Sequence, residues 1–206
     1  VSYYDTNIGI HNILYSGIES ADNYDHIYQA DLCGWVGQLG YGKESAFLPI
    51  FIRQRRKKSW RQSASMQPGE NTSYQVYTVT DAEGSSQFGR RRKVASGEVA
   101  NAGYYTVLLD KTVTLEAGER FAVIVEITTP GAIHPVAIEY SSSDKGLTVD
   151  LSDGEGYISY RGSSWERVEA EQNCNVCLKA YTRNVDSGID CWYGCEGMAE
   201  AVFEER

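Results

Sequence analysis

The sequence predicts an all-β fold, a jelly-roll-like antiparallel β-sandwich, and three observations carry that prediction. The stretch Asn101–Pro130 holds two apolar strands, Tyr104–Leu109 and Phe121–Thr128, with Val113 and Leu115 between them and a polar turn at Glu116–Glu119. Short alternating segments recur on either side, separated by Gly, Ser, Asp and Asn turns. No segment shows a convincing amphipathic helical period. Phe121–Thr128 is nearly continuously apolar and rich in β-branched residues, so it belongs at the centre of a sheet, covered on both faces.

Taken in order, residues 1–27 lack periodicity and hold the turn formers Asp5, Asn7, Gly9, Gly17, Asp22 and Asn23, as an extended arm would. Ile27–Val36 is expected as the first strand, carrying Leu32, Trp35 and Val36 toward the core, and Gly37–Gly42 as a flexible loop. Phe47–Pro68 is an anomaly: a short apolar run, the basic run Arg53–Arg61, then polar residues with neither helical nor strand period. Such a run is ordinarily a solvated loop. Strands resume at Tyr74–Thr80 and Lys93–Val99, and after the central pair at His134–Tyr140, Leu147–Leu151, Tyr157–Tyr160 and Val176–Thr182. Pro135 favours an early or edge position in its strand. Residues 21–183 thus make one domain, and residues 184–206 read as a poorly ordered tail with room for one short acidic helix.

The chain has 206 residues and a formal net charge of −9, which argues against a nucleic-acid partner. No apolar run approaches the roughly 20 residues that cross a bilayer, so no membrane insertion is expected. The chain opens on Val1-Ser2-Tyr3-Tyr4 without an initiator Met and reads as a processed piece or fragment. Its five cysteines form no dense framework. Cys174-x-x-Cys177 and Cys191-x-x-x-Cys195 have loosely zinc-ribbon spacing, but Cys177 lies in an alternating strand and plain thiols or a local disulfide explain the set as well. Cys33-Gly34-Trp35 has a cysteine where a nucleophile would need a lowered pKa, yet its expected place within a strand makes it a buried structural thiol. No G-x-S-x-G, H-E-x-x-H or phosphate-binding glycine loop is present.

Five stretches together have a family likeness: Val1–Asp5, Asn23–Trp35 (NYDHIYQADLCGW), Gly97–Pro130, Gly154–Glu166 (GEGYISYRGSSWE) and Asn175–Thr182 (NVCLKAYT). They resemble the lectin-like domain on the C-terminal side of papain-type cysteine peptidases that Gram-positive anaerobes secrete or display. The resemblance implies that residues 1–20 are a linker arm or the tail of an upstream peptidase domain, whose catalytic Cys, His and Asn lie outside this chain. It further implies a non-catalytic module, an extracellular or cell-surface location, and a structural calcium whose ligands it does not fix. In similar domains the segment corresponding to residues 47–68 is a strand, an acidic stretch and a second strand. Permissible codons for Phe47–Pro68, read one nucleotide earlier, supply that pattern, so residues 47–68 are expected to be out-of-frame sequence.

Two candidate sites follow from the residues. Asp150, Asp153 and Glu155 place three carboxylates in a Gly-bearing turn suited to calcium, with Asp22, Asp25 and Asp31 as a second acidic set. Tyr157, Tyr160, Trp165 and Glu166, with Ser163 and Ser164, offer aromatic faces beside polar groups for a carbohydrate, and Trp35 is another platform. Strand alternation puts Tyr157 and Tyr160 on opposite faces, and Trp165 and Trp35 serve equally as core filling. Glu155 and Glu166 form a conceivable glycosidase pair. The expected function is therefore accessory: positioning a cysteine peptidase by glycan or cell-wall binding. A spacer without sugar affinity is the alternative, and a β-sandwich hydrolase a further one.

Overall fold

The computed structural model describes residues 11–15, 18, 20–53, 56–80, 85–144, 146–152, 155–185 and 200–205. Its strands, in chain order, are β1 (His11–Tyr15), β2 (His26–Gln29), β3 (Gly37–Leu39), β4 (Ser45–Arg53), β5 (Lys58–Gln67), β6 (Thr72–Val79), β7 (Arg92–Val99) and β8 (Gly103–Leu115). They continue with β9 (Arg120–Thr128), β10 (Val136–Glu139), β11 (Tyr157–Ile158), β12 (Glu166–Arg167), β13 (Asn175–Val176), β14 (Leu178–Asn184) and β15 (Glu200–Glu205), with a short α-helix, α1 (Val168–Glu171), and two 3-10 turns among the described residues. One sheet runs β1-β15-β8-β5-β14-β2 and faces a second that runs β4-β9-β6-β7. The small sheet β13-β10-β3 and the hairpin β11-β12 complete the sandwich, and every pairing is antiparallel.

The layers follow from alternation. Ala46, Leu48, Ile50 and Ile52 of β4 and Phe121, Val123, Val125 and Ile127 of β9 point into the main core, where they meet Trp60, Leu109, Val113, Leu115 and Leu178 of the opposing sheet. The other face of β4 and β9 presents Phe47, Phe51, Ala122 and Ile124 to a second cluster with Val79 and Phe88. β9 is thus buried on both sides, as its sequence requires. Pro49 lies inside β4 without harm because β4 is the edge strand of its sheet. On its free side Phe47 and Phe51 donate N–H bonds to the carbonyls of Ser159 and Glu155, at 2.8 and 2.9 Å, and Pro49 falls between them.

Five expectations are corrected. Gly37–Gly42, expected as a flexible loop, begins with strand β3, which pairs with β10. Ile27–Val36 is a strand only at its start; from Ala30 the chain leaves the sheet, and Leu32 is 74% exposed. Leu147–Leu151 makes no strand, only an isolated bridge from Leu147 to Ser142. In the last stretch, expected as a loose tail or acidic helix, Glu200–Glu205 pairs as β15 with β1 and β8, and residues 186–199 lie outside the described residues. Phe47–Pro68 is no solvated loop: it supplies β4 and β5, and β5 runs between β8 and β14.

Why β5 escapes a periodicity reading is plain from its contents. Lys58, Ser59, Gln62, Ser63, Ser65 and Gln67 are all buried alongside Trp60 and Ala64. Some polar groups are satisfied: Ser63 donates to the Lys179 carbonyl at 2.7 Å, and Gln67 donates to the Ser65 hydroxyl at 2.8 Å. Lys58 Nζ, Ser59 Oγ and Gln67 Oε1 have no hydrogen-bond partner. Desolvation drives the Lys58 pKa down against the pull of Asp25, and the ammonium sits 5.9 Å from the Tyr28 ring.

Candidate functional site

The candidate carbohydrate residues separate into two places. Tyr157 and Trp165 belong to the second aromatic cluster. Tyr157 lies 5.6 Å from Phe51 and 5.7 Å from Phe88, and Trp165 lies edge-on to Phe88 at 4.7 Å, all between ring centroids. Arg91 packs over Phe47 at 4.9 Å on the same side. Tyr157 and Trp165 are thus half-buried side chains packed against this cluster. Trp35, by contrast, is 37% exposed and fills no core.

Tyr160, beyond the end of β11, lies outside this cluster. Its ring stands 6.3 Å from that of Tyr41, and the Arg161 guanidinium lies 5.4 Å from its centroid. Burial, followed by the hydrogen bond to Glu166, holds the Tyr41 phenol above its usual pKa. Glu166 therefore anchors Tyr41. A concavity of about 390 Å³ opens beside Tyr160, lined by Gly42, Lys43, Glu44, Ser45, Gly131, Ala132 and Ile133.

Two loops, β3–β4 and β9–β10, each crossing between the same two sheets, build this concavity, and they are tied together. Gly42 N–H donates to the Ile133 carbonyl at 3.1 Å, Thr129 N–H to the Glu44 carbonyl at 2.9 Å, and Gly131 N–H to Glu44 Oε1 at 2.8 Å. Gly131 has φ 77°, which lets the chain reverse after Pro130. Gly40 abuts Ile133, His134 and Pro135, and a Cβ there would come within 2.7 Å of the Pro135 ring. Sequence reading missed Tyr41, Glu44 and Ile133 because only the fold brings these loops together.

Of the acidic turn, Asp150 and Glu155 fall among the described residues. Asp150 is exposed, and hydrogen bonds from the Ser152 side chain and then from its N–H, which reaches Oδ1 at 2.9 Å, lower its carboxyl pKa. Asp153 lies outside the described residues, and Glu155 contributes its carbonyl to β4. Among the described residues no trio of His, Cys, Asp or Glu side chains converges on a metal position.

A different oxygen-rich pocket lies behind that turn. The Asn175 amide nitrogen faces three acceptors, Glu139 Oε1 at 2.8 Å, the Asp150 carbonyl at 2.9 Å and the Ala30 carbonyl at 3.3 Å. An amide NH₂ has two hydrogens, and Asn175 Oδ1 is buried without a partner. Rotating the amide would turn that oxygen toward the same three oxygens, an arrangement that suits a cation and little else. Asp31, with Oδ1 also unpartnered, is the neighbouring carboxylate and bonds Lys179 Nζ at 2.8 Å. Burial pushes its pKa up to about 6 against the opposing effect of Lys179. The Lys179 ammonium pairs with Asp31, and the second buried carboxylate, Glu139, accepts only from the Cys33 N–H and Asn175 among the hydrogen bonds described. The residues fit a hard cation held by Glu139, Asn175 and the carbonyls of Ala30 and Asp150, with Asp31 beside it.

The remaining chemistry is quickly placed. Cys33 is exposed in the loop after β2, contrary to the buried position expected for it, and its N–H donates to Glu139 Oε2 at 2.6 Å. Cys174 and Cys177 are buried; desolvation raises both thiols, Cys174 to about 12, which disfavours the thiolate that zinc needs. Cys191 and Cys195 lie outside the described residues. No helix among the described residues is long and apolar enough to cross a membrane.

Comparison with known proteins agrees with this architecture. The chain is similar to the clostridial cysteine protease Cwp84 after propeptide cleavage, with a TM-score of 0.61 at 21% identity over 77% of this chain and 40% of that one. It is also similar to the cysteine protease and lectin-like domains of Cwp84, a surface-layer-associated protein of Clostridium difficile, with a TM-score of 0.58 at 22% identity over 68% of this chain and 32% of that one. The chain therefore spans well under half of either structure, and at such identity the likeness is one of fold. Among curated proteins none matches. The model of the lectin-like domain family matches residues 27–182, most of the described sandwich, and the chain belongs to that family.

Proposed function

We propose that this sandwich is the non-catalytic, carbohydrate-binding accessory module of a papain-type cysteine peptidase, placing that enzyme on a glycan-bearing cell wall or surface outside the cell. The observation that carries the reading is the membership of residues 27–182 in the lectin-like family. Two further facts support it: in Cwp84 a lectin-like domain accompanies a cysteine protease domain, and that protein is associated with a surface layer. The test is a glycan array and a cell-wall pelleting assay with the full chain. Retention on wall glycans is expected, and absence of binding to every glycan and wall preparation would overturn it. The spacer reading has one supporting observation, the exposed apolar side chains Ile27, Leu32 and Trp35 along β2 and its following loop, a surface suited to packing on a peptidase domain.

The same reading includes a structural calcium at Glu139, Asn175 and the carbonyls of Ala30 and Asp150. The ion would supply charge balance to two buried carboxylates and pin β10 and β13 to the loops that follow β2 and precede β11. Calcium is expected to raise the melting temperature of the full chain, and Glu139→Gln to abolish that response. An equal response to calcium in both proteins would remove the site.

Residues 47–68 receive a proposal of their own: that they are out-of-frame sequence between two compensating indels. Supporting it is a strand, β5, that lies at the middle of a sheet with three buried polar atoms left unbonded.

A further inference from the structure

We infer that the glycan site is the loop-built concavity beside Tyr160, and that it takes a pyranose bearing an N-acetyl group. The inference rests on the carbohydrate-binding reading above and narrows it to one place and one class of sugar. Four features argue for the position. The concavity, about 390 Å³, falls within the roughly 300–1,000 Å³ typical of small-molecule sites. It combines an exposed aromatic ring, an exposed aliphatic side chain and both signs of charge, whereas Tyr157 and Trp165 are half-buried against the second cluster. Its two loops are held by the Gly42–Ile133, Thr129–Glu44 and Gly131–Glu44 hydrogen bonds, so little ordering is left to be lost on binding. The Tyr160 ring itself stands beside Tyr41, which hydrogen-bonds Glu166.

The chemistry of the lining selects the ligand. A tyrosine ring offers its face to the C–H side of a pyranose, and Tyr160 is 36% exposed. Ile133 is 62% exposed at the rim beside Ala132, and a methyl group resting there removes apolar surface from water. The Glu44 carboxylate only accepts hydrogen bonds and so suits sugar hydroxyls and an amide N–H, while Lys43 donates to the acetyl carbonyl or a ring oxygen.

The test titrates the full chain with tri-N-acetylchitotriose and with cellotriose, which has the same β-1,4-linked frame without acetamido groups. Saturable binding of the acetylated trimer is expected, about tenfold weaker for cellotriose. Tyr160→Ala and Ile133→Ser should each weaken it about tenfold, and Trp35→Ala should leave it unchanged. Both altered side chains lie outside the core clusters, and far-UV circular dichroism with the melting temperature verifies that the variants fold. Undiminished binding in folded Tyr160→Ala and Ile133→Ser would overturn the position while leaving carbohydrate binding intact. Equal affinity for the two trimers would overturn the N-acetyl assignment. Failure of the unaltered chain to bind any glycan on the array would overturn the inference together with the reading beneath it.

Discussion

β9 and β5 occupy equivalent positions, each in the interior of one of the two facing sheets, and each is almost wholly withdrawn from water. Their chemistry is opposite. β9 fills both of its faces with Phe121, Ala122, Val123, Ile124, Val125 and Ile127, whereas β5 places Lys58, Ser59, Gln62, Ser63, Ser65 and Gln67 in comparable burial. Burial of apolar surface drives β9 into place, but β5 is held by its backbone ladders to β8 and β14 and by the single large anchor Trp60. A central strand can therefore be dictated by its own side chains or imposed by its neighbours, and the two kinds respond to mutation with opposite sign.

The largest expected effect comes from replacing β5 as a whole. If residues 47–68 are read in a shifted frame, the coding DNA between Ser45 and Asn71 will permit a reading one nucleotide earlier with apolar strand residues. The chain expressed in that frame should then be more stable by about 3–9 kcal/mol, since three orphaned buried groups each cost about 1–3 kcal/mol. Codons incompatible with the shifted reading would end the proposal. Next in size is β9. Phe121 is completely buried, with Tyr28 and Trp60 rings at 6.1 and 6.0 Å. Phe121→Ala should cost about 3–5 kcal/mol in chemical denaturation. A loss below about 1 kcal/mol would mean that β9 is not the strand on which the core depends.

Lys58→Met inverts the sign. The variant keeps the aliphatic stem and removes a buried ammonium that has no hydrogen bond, so a gain of about 1–3 kcal/mol is expected. A pH series sharpens this. The folded pKa of Lys58 is lowered by burial, so between that value and the ordinary lysine value of 10.5 the unfolded chain binds more protons than the folded one. Stability should accordingly rise with pH across that alkaline interval. Lys58→Met should lose this component, and an unchanged alkaline profile would show that Lys58 is hydrated.

The same contrast explains what could be read from the sequence. β6, β7, β8, β9 and β10 announce themselves because their apolar residues alternate or run continuously, and burial is what such residues require. β5 was illegible because its polar residues argue for solvent, and only pairing to β8 and β14 decides otherwise. At the site, Tyr160 was found as an aromatic after a short strand, but its partners Tyr41, Glu44 and Ile133 arrive from loops roughly 30 to 120 residues distant, joined by backbone hydrogen bonds that no composition signals. The polar pocket around Asn175 was illegible for a related reason. Glu139 and Asn175 stand among apolar neighbours in the sequence, and a polar residue at an inward position is the signal available.

The smallest effect tests whether polarity or partnership sets the sign. Thr72, on β6 beside β9, is as buried as Ser59, yet its hydroxyl bonds the Gly69 carbonyl at 3.0 Å and the Thr129 hydroxyl at 2.8 Å. Ser59 Oγ on β5 has no partner. Removing a satisfied hydroxyl forfeits its bonds and strands what they served, so Thr72→Val should destabilise by about 0.5–1.5 kcal/mol. Removing an unsatisfied hydroxyl relieves a desolvation cost with little loss of volume, so Ser59→Ala should stabilise by up to about 1 kcal/mol. Equilibrium urea unfolding resolves both changes when the two variants share one m-value. Opposite signs would establish that β5 is held despite its side chains, while a loss in both would mean that Ser59 has found a partner and that β5 is better satisfied than its contacts indicate.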